Sequence, residues 1–140
     1  MRVLKITFGQ NAISLQKFEN EYEFYEYLEA CDSSLLLSYN EDYADTYDAI
    51  TLHSEEKFSI GMKYDWHGLQ SNILMLPKNQ KIVCSFENEI VCVDCAAKVV
   101  DFRHSLNSLI FSIIHVEQWS LIIIIYELGV FVIDEKGQKI

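Results

Sequence analysis

Residues 80 to 100 and residues 120 to 140 follow one pattern at an offset of forty. Laying Asp94 on Asp134 sets Ile82 on Ile122, Phe86 on Tyr126, Glu87 on Glu127, Ile90 on Val130 and Cys92 on Val132. Each copy reads as an apolar strand, an acidic turn, a second apolar strand and a turn led by aspartate. A period near forty in which each unit is a β-hairpin is the mark of stacked or radially repeated β-units. It constrains architecture and names no chemistry.

Within the first copy, Ile82, Cys84 and Phe86 alternate with Val83 and Ser85, and Ile90 and Cys92 with Val91 and Val93. A three-residue connection, Glu87-Asn88-Glu89, sets Phe86 opposite Ile90 and Cys84 opposite Cys92. In the second copy the strands are apolar on both faces, 121–125 and 130–133, the composition of strands buried in the middle of a layered structure. Strands at 98–102 and 109–115 lie between the copies.

The N-terminal half reads as strands at 2–8 and 12–16 around a turn at 9–11. Asn20 caps a helix over about 20–31, whose Phe24, Tyr25, Leu28 and Cys31 share one face while Glu19, Glu23 and Glu26 take the other. Asp32-Ser33-Ser34 ends it. Further strands are expected at 35–39, 49–53, 57–64 and 71–76, with an acidic loop over 40–48, a turn at 54–56 and another at Pro77 to Gln80. No Pro, Gly or Ser-rich linker interrupts the 140 residues, so a single domain over 1–140 is expected. The class is mainly β: twisted antiparallel sheets of hairpins, with one helix covering a sheet.

The hairpins, with Asp94, Asp134 and Gly137 at their turns, resemble the blade of a β-propeller in which an Asp at the end of the third strand introduces a short turn. A closed propeller needs at least four blades, about 160 residues at this period, so the resemblance implies blade-like hairpins inside a different fold.

Half of the residues are apolar, which excludes disorder, and a net charge of -10 repels phosphates, so nucleic acid is not the expected partner. The apolar runs are too short to cross a bilayer as helices, and the chain opens on an alternating strand, not a signal sequence; a cytoplasmic protein is expected. Cys31, Cys84, Cys92 and Cys95 are then reduced. Cys92 and Cys95 have the spacing of a metal or redox pair, with Cys84 and His104 as further ligands, but there is no second pair and Cys92 lies on an apolar strand face. Buried small hydrophobes are the expected role, and no metal or cofactor is expected.

Catalytic patterns are sparse. No two of His53, His67, His104 and His115 have metal-site spacing, and GxSxG and glycine-rich phosphate loops are absent. Asp42, Asp45 and Asp48 do not match an EF-hand loop. Asp65, Trp66 and His67, beside Gly68 at a strand end, are the residues that would line a pocket in a small hydrolase or ligand-binding protein. The acidic loop is more suggestive: Tyr39, Tyr43 and Tyr47 recur every four residues among Glu41, Asp42, Asp45 and Asp48. Carboxylates steer a cationic partner in, and tyrosines supply contact area once it arrives. The sequence thus points to a non-enzymatic binding protein, of the type of an immunity protein neutralising a basic toxin. A self-associating scaffold or homodimer built from the hairpins is the alternative.

Overall fold

The computed structural model describes the backbone of residues 3–8 and 11, and all atoms of residues 12–38 and 44–140. The chain divides into two compact units, residues 1–66 and residues 67–140. It is mainly β, with one α-helix among the described residues.

In the first unit, β1 (Val3–Phe8) and β2 (Asn11–Phe18) form a hairpin, followed by α1 (Glu21–Ala30), β3 (Ser33–Ser38), β4 (Thr46–His53) and β5 (Lys57–Tyr64). They make a five-stranded sheet in the order β1-β2-β4-β5-β3, antiparallel except for the parallel pair β3 and β5. The expected turn at 9–11 falls largely outside the described residues, as does Arg2.

The helix begins where the sequence places it, because the Asn20 side-chain oxygen accepts the Glu23 amide at 2.8 Å and satisfies one of the free donors of the first turn. Phe24 and Leu28, four apart, point to the sheet and are buried. They join Phe18, Tyr47 and Ala49 in a core cluster flanked by Tyr25 and Tyr27. Burying side chains of this size contributes about 1.5–3 kcal/mol each. Gly61 sits under the helix, and a Cβ there would stand 2.7 Å from Leu28 Cδ1 and 2.9 Å from Phe24 Cζ. The missing side chain sets how closely the helix approaches.

Two expectations change here. Asp32-Ser33-Ser34 does not form a separate terminator: Cys31 caps the helix, β3 starts at Ser33, and Asp32 Oδ2 accepts the Lys57 amide at 2.6 Å. Strand β4 begins at Thr46, not Ala49, because Tyr47 and Asp48, which read as loop, both find partners in the interior.

In the second unit, β6 (Asn72–Leu76), β7 (Lys81–Phe86), β8 (Glu89–Asp94) and β9 (Val99–Ser105) form a four-stranded antiparallel sheet in sequence order. Strands β10 (Ile110–Val116), β11 (Leu121–Tyr126) and β12 (Gly129–Asp134) form a three-stranded one. A 3-10 turn precedes β7 at Pro77–Asn79 and another precedes β11 at Glu117–Trp119; Gln80 and Ser120, which end them, have φ of 53° and 52°. The two sheets face each other across a core of Leu76, Val83, Ile90 and Cys92 from one side and Ile110, Ile122, Ile124 and Ile133 from the other. Neither sheet closes on itself.

The β7–β8 hairpin turns through two residues, Glu87 and Asn88, not three, with Glu87 in the left-handed region at φ 52°. Phe86 therefore pairs with Glu89 and Cys84 with Val91, one step from the expected register. A one-residue slip moves a side chain to the opposite face, so Cys84 and Cys92 lie on different sides of the sheet. The same change draws Glu89 out of the turn and buries its carboxylate at 1% exposure, where it accepts hydrogen bonds from Arg103 and Ser105. A buried carboxylate is tolerated only with such partners.

The strands of the three-stranded sheet are not in the middle of a layered structure. Ile122, Ile124 and Ile133 face the core, but the other face is open: Ile114 is 45% and Val130 62% exposed.

Candidate functional site

Tyr39, Glu41, Asp42 and Tyr43 of the expected binding loop lie outside the described residues. The structure places the remaining three in different environments. Asp45 is exposed, and its Oδ1 accepts from the Thr46 hydroxyl at 3.0 Å and the Trp66 amide at 2.9 Å. Tyr47 packs inward: its ring centroid is 5.5 Å from that of Phe24, its hydroxyl donates to the Ala44 carbonyl at 3.1 Å, and burial raises its pKa. Asp48 is buried on the opposite face of the sheet, where Tyr64 donates to Oδ2 at 2.6 Å and Lys17 Nζ stands 3.9 Å from Oδ1. Among the described residues of that loop, then, Asp45 supplies the accessible carboxylate.

A more continuous acidic surface lies on α1. Because Phe24 and Leu28 are turned to the sheet, the 3.6-residue period sends Tyr22, Glu23, Glu26 and Glu29 to solvent, and these four, with Glu19 just before the N-cap, are exposed. Tyr22 is 76% exposed, the most open of the large apolar side chains among the described residues. Its spacing of four to Glu26 and seven to Glu29 puts it on the same stripe as these carboxylates. The reading from sequence found Glu19, Glu23 and Glu26 but overlooked Tyr22, whose signal is its i, i+4 relation to Glu26 on the face opposite Phe24.

Glu21, one position round from this stripe, is engaged: Lys63 Nζ donates to its Oε1 at 2.9 Å and to the Tyr25 hydroxyl at 3.2 Å. The Glu21 carboxylate raises the Lys63 pKa above the ordinary lysine range despite burial. No basic residue stands in the last turn of α1. Carboxylates about 6 Å apart on a helix repel by about 0.7 kcal/mol in bulk water, and a cation approaching the stripe gains from several of them at once.

The Asp65, Trp66 and His67 segment follows β5. Trp66 is 42% exposed, with Lys17 Nζ 5.1 Å from its ring centroid, and His67 is exposed. The unit boundary falls between Trp66 and His67. Elsewhere in the first unit, Ser14 Oγ is 2.8 Å from His53 Nε2, the pairing that activates a nucleophile in many hydrolases. Ser14 is only 4% exposed, so that hydroxyl is closed to a substrate, and the neighbouring Tyr27, Thr51 and Ser59 form a hydroxyl chain of 2.6 and 3.1 Å that satisfies polar atoms between helix and sheet.

Cys84, Cys92 and Cys95 are free thiols and buried, and burial pushes Cys92 and Cys95 up to about 12. The structure matches a small-hydrophobe role for Cys92, which sits in the core of the second unit. Among the described residues no three His, Cys, Asp or Glu side chains converge as a metal-binding group. His104 Nε2 donates to the Gly137 carbonyl at 2.6 Å, and His115 Nε2 is 3.0 Å from Glu135 Oε2.

No family model, curated protein or solved structure matches this chain.

Proposed function

We propose that the chain is a non-enzymatic binding protein that engages a basic partner protein through the exposed face of α1. The observation that carries this reading is Tyr22, 76% exposed and set among Glu19, Glu23, Glu26 and Glu29. A tyrosine brings a rigid apolar ring and a hydroxyl into an interface, and the surrounding carboxylates speed encounter with a cation. The net charge of -10 extends the same preference over longer range. Asp45, and the residues Tyr39, Glu41, Asp42 and Tyr43, would extend the contact. An immunity-type protein that neutralises a cationic toxin in the cytoplasm is the concrete form of this proposal. No helix among the described residues is long and apolar enough to cross a membrane.

We infer as well that the second unit is built on a forty-residue repeat of propeller-blade type. Its supports are the 3-10 turns at Pro77 and Glu117, the left-handed Gln80 and Ser120, and Asp94 and Asp134, each of which accepts backbone amides of the turn that follows it.

The test is capture of partners from host lysate at low salt and again in about 0.5 M salt, where the Debye length falls below about 8 Å. A basic protein retained at low salt, released at high salt, and lost when Tyr22→Ala and Glu26→Lys are introduced together is the expected outcome. Capture that is indifferent to this pair of substitutions would sink the proposal.

A further inference from the structure

Strand β12 pairs with β11 on one side and stands at the end of its strand order. Successive residues of an antiparallel strand turn their N–H and C=O groups to opposite sides. The Val132 carbonyl accepts the Ile140 amide at 3.1 Å and the Asp134 amide donates to the Gln138 carbonyl at 2.9 Å, so the backbone groups of Val132 and Asp134 point away from β11. By the same alternation those of Val130 do too. Residues 138–140 thus lie along the Asp134 end of this edge, with Lys139 bridged antiparallel to Ile133. At the other end no strand among the described residues lies beside Val130, whose side chain is 62% exposed.

The forty-residue offset says what kind of element belongs there. It lays β12 on β8, which has β7 on one side and β9 on the other. Ile90, the counterpart of Val130, pairs with His104 of β9, and Cys92, the counterpart of Val132, pairs with Phe102. The edge that a whole strand fills in the first copy is filled only at its aspartate end in the second. Residues 98–105, which fill it in the first copy, carry Lys98 and Arg103 against Asp101, an excess of one positive charge. A molecule of net charge -10 attracts a segment of that kind and repels a second copy of itself. Outer strands that resist further pairing carry charges, prolines or bulges. β9, outermost in its own sheet, has Asp101, Arg103 and a register shift against β8. β12 has no charge, proline or register shift over residues 129–133.

We propose that the open edge of β12 takes an extended, net positive segment of a partner protein, which adds antiparallel as the fourth strand of this sheet. The segment exchanges backbone hydrogen bonds with the N–H and C=O of Val130 and accepts the Val132 N–H. Aromatic or β-branched side chains suit the positions across from Val130 and Val132. No residue of α1 takes part, so this surface stands or falls separately from capture through Tyr22 and Glu26.

The probe is a synthetic peptide with the sequence of residues 98–105, capped at both ends and titrated onto the full chain. Calorimetry should show saturable binding, and hydrogen exchange should slow at the Val130 and Val132 amides while the amides of β9 stay as they were. In the protein the amides of Phe102 and His104 face β8, as does that of Leu106, which donates to the Asn88 carbonyl. N-methylation of the peptide at the Phe102 and His104 positions should therefore abolish binding, and N-methylation at the Arg103 and Ser105 positions should preserve it. Absence of saturable binding overturns the proposal. So does binding that leaves Val130 and Val132 unprotected, or that is indifferent to which amides are methylated. Protection of these two amides that rises with protein concentration in the absence of peptide would assign the edge to a second copy, and that result overturns it as well.

Discussion

Leu28 Cδ1 lies 2.7 Å from the point where a Cβ on Gly61 would stand. The helix is seated on a bare stretch of strand, and the fit leaves no room for one carbon. Gly61→Ala should therefore lower stability by about 1–3 kcal/mol, as overpacking does when the neighbours are themselves locked in a core. Urea unfolding would show it as a lower midpoint at unchanged slope. Gly61→Ala should cost less in a Leu28→Ala background than in the unaltered chain, since the nearer of the two struck atoms is then gone and Phe24 Cζ, at 2.9 Å, remains.

The start of the same helix depends on one side chain. Asn20→Ala removes the acceptor of the Glu23 amide and should cost about 0.5–2 kcal/mol, while Asn20→Asp or Asn20→Ser should be nearly neutral. Thermal unfolding of the three variants distinguishes a capping role from a generic effect of mutation.

Binding and stability should move in opposite directions at Glu29. Lysine there places a cation in the last turn of α1, where none stands now, and three residues from Glu26. Glu29→Lys should stabilise the protein by about 0.3–1 kcal/mol through the helix dipole and the new pair. On the proposed function it weakens capture of the basic partner. Calorimetry and the lysate capture together report both signs, and a variant that is more stable and binds equally well would count against the α1 surface.

The thiols predict a pH dependence. Burial holds Cys92 and Cys95 up to about 12, against an ordinary 9.0. The folded state then keeps protons that the unfolded chain gives up. This stability is whole below 9.0 and is lost as pH rises from there toward 12. About one unit above the ordinary value the loss is about 1 kcal/mol per thiol. Cys92→Ala should reduce the alkaline slope of unfolding free energy, even though the cavity lowers stability at all pH values. The native thiols should also resist alkylation at neutral pH and react once the chain is unfolded.

Gly137 has φ 86°, and a Cβ on it would overlap the ring of Phe102. Gly137→Ala meets both obstacles and should destabilise the turn that follows β12. Loss of amide protection at Lys136 and Gln138, which Asp134 Oδ1 now holds, is the local readout. Asp134→Ala should expose the same two amides without disturbing Phe102.

Much of this fold is legible in the sequence where one local signal dominates. The asparagine before a run of glutamates starts the helix, and uninterrupted alternation from Lys57 to Tyr64 delimits β5 to the residue. Misreadings occur where a distant partner overrides local character. Tyr47 and Asp48 look like solvent-facing loop, yet the helix supplies Phe24 to one and β5 supplies Tyr64 to the other. Glu87 gives no sign that it adopts a left-handed turn usually left to glycine, and that one residue shifts the register of the β7–β8 hairpin. Apolar character in β11 and β12 does not reveal that one of their faces is open. The candidate site shows the same division: the carboxylates of α1 can be placed by periodicity alone, but Tyr22 becomes notable only once its exposure is known.

The parallel pairing of β3 with β5 also bears on how the first unit comes together. The strand order β1-β2-β4-β5-β3 inserts a later hairpin between β2 and β3. As the chain emerges in sequence, β3 is made before the strand it pairs with, and α1 before the glycine it rests on. Neither has a seat until residues 57–64 arrive, so the β4–β5 hairpin is the step that converts a waiting helix and an orphan strand into a sheet. Its closure, across the short Ser54-Glu55-Glu56 turn, presents to β3 the edge it pairs with and to α1 the glycine it rests on.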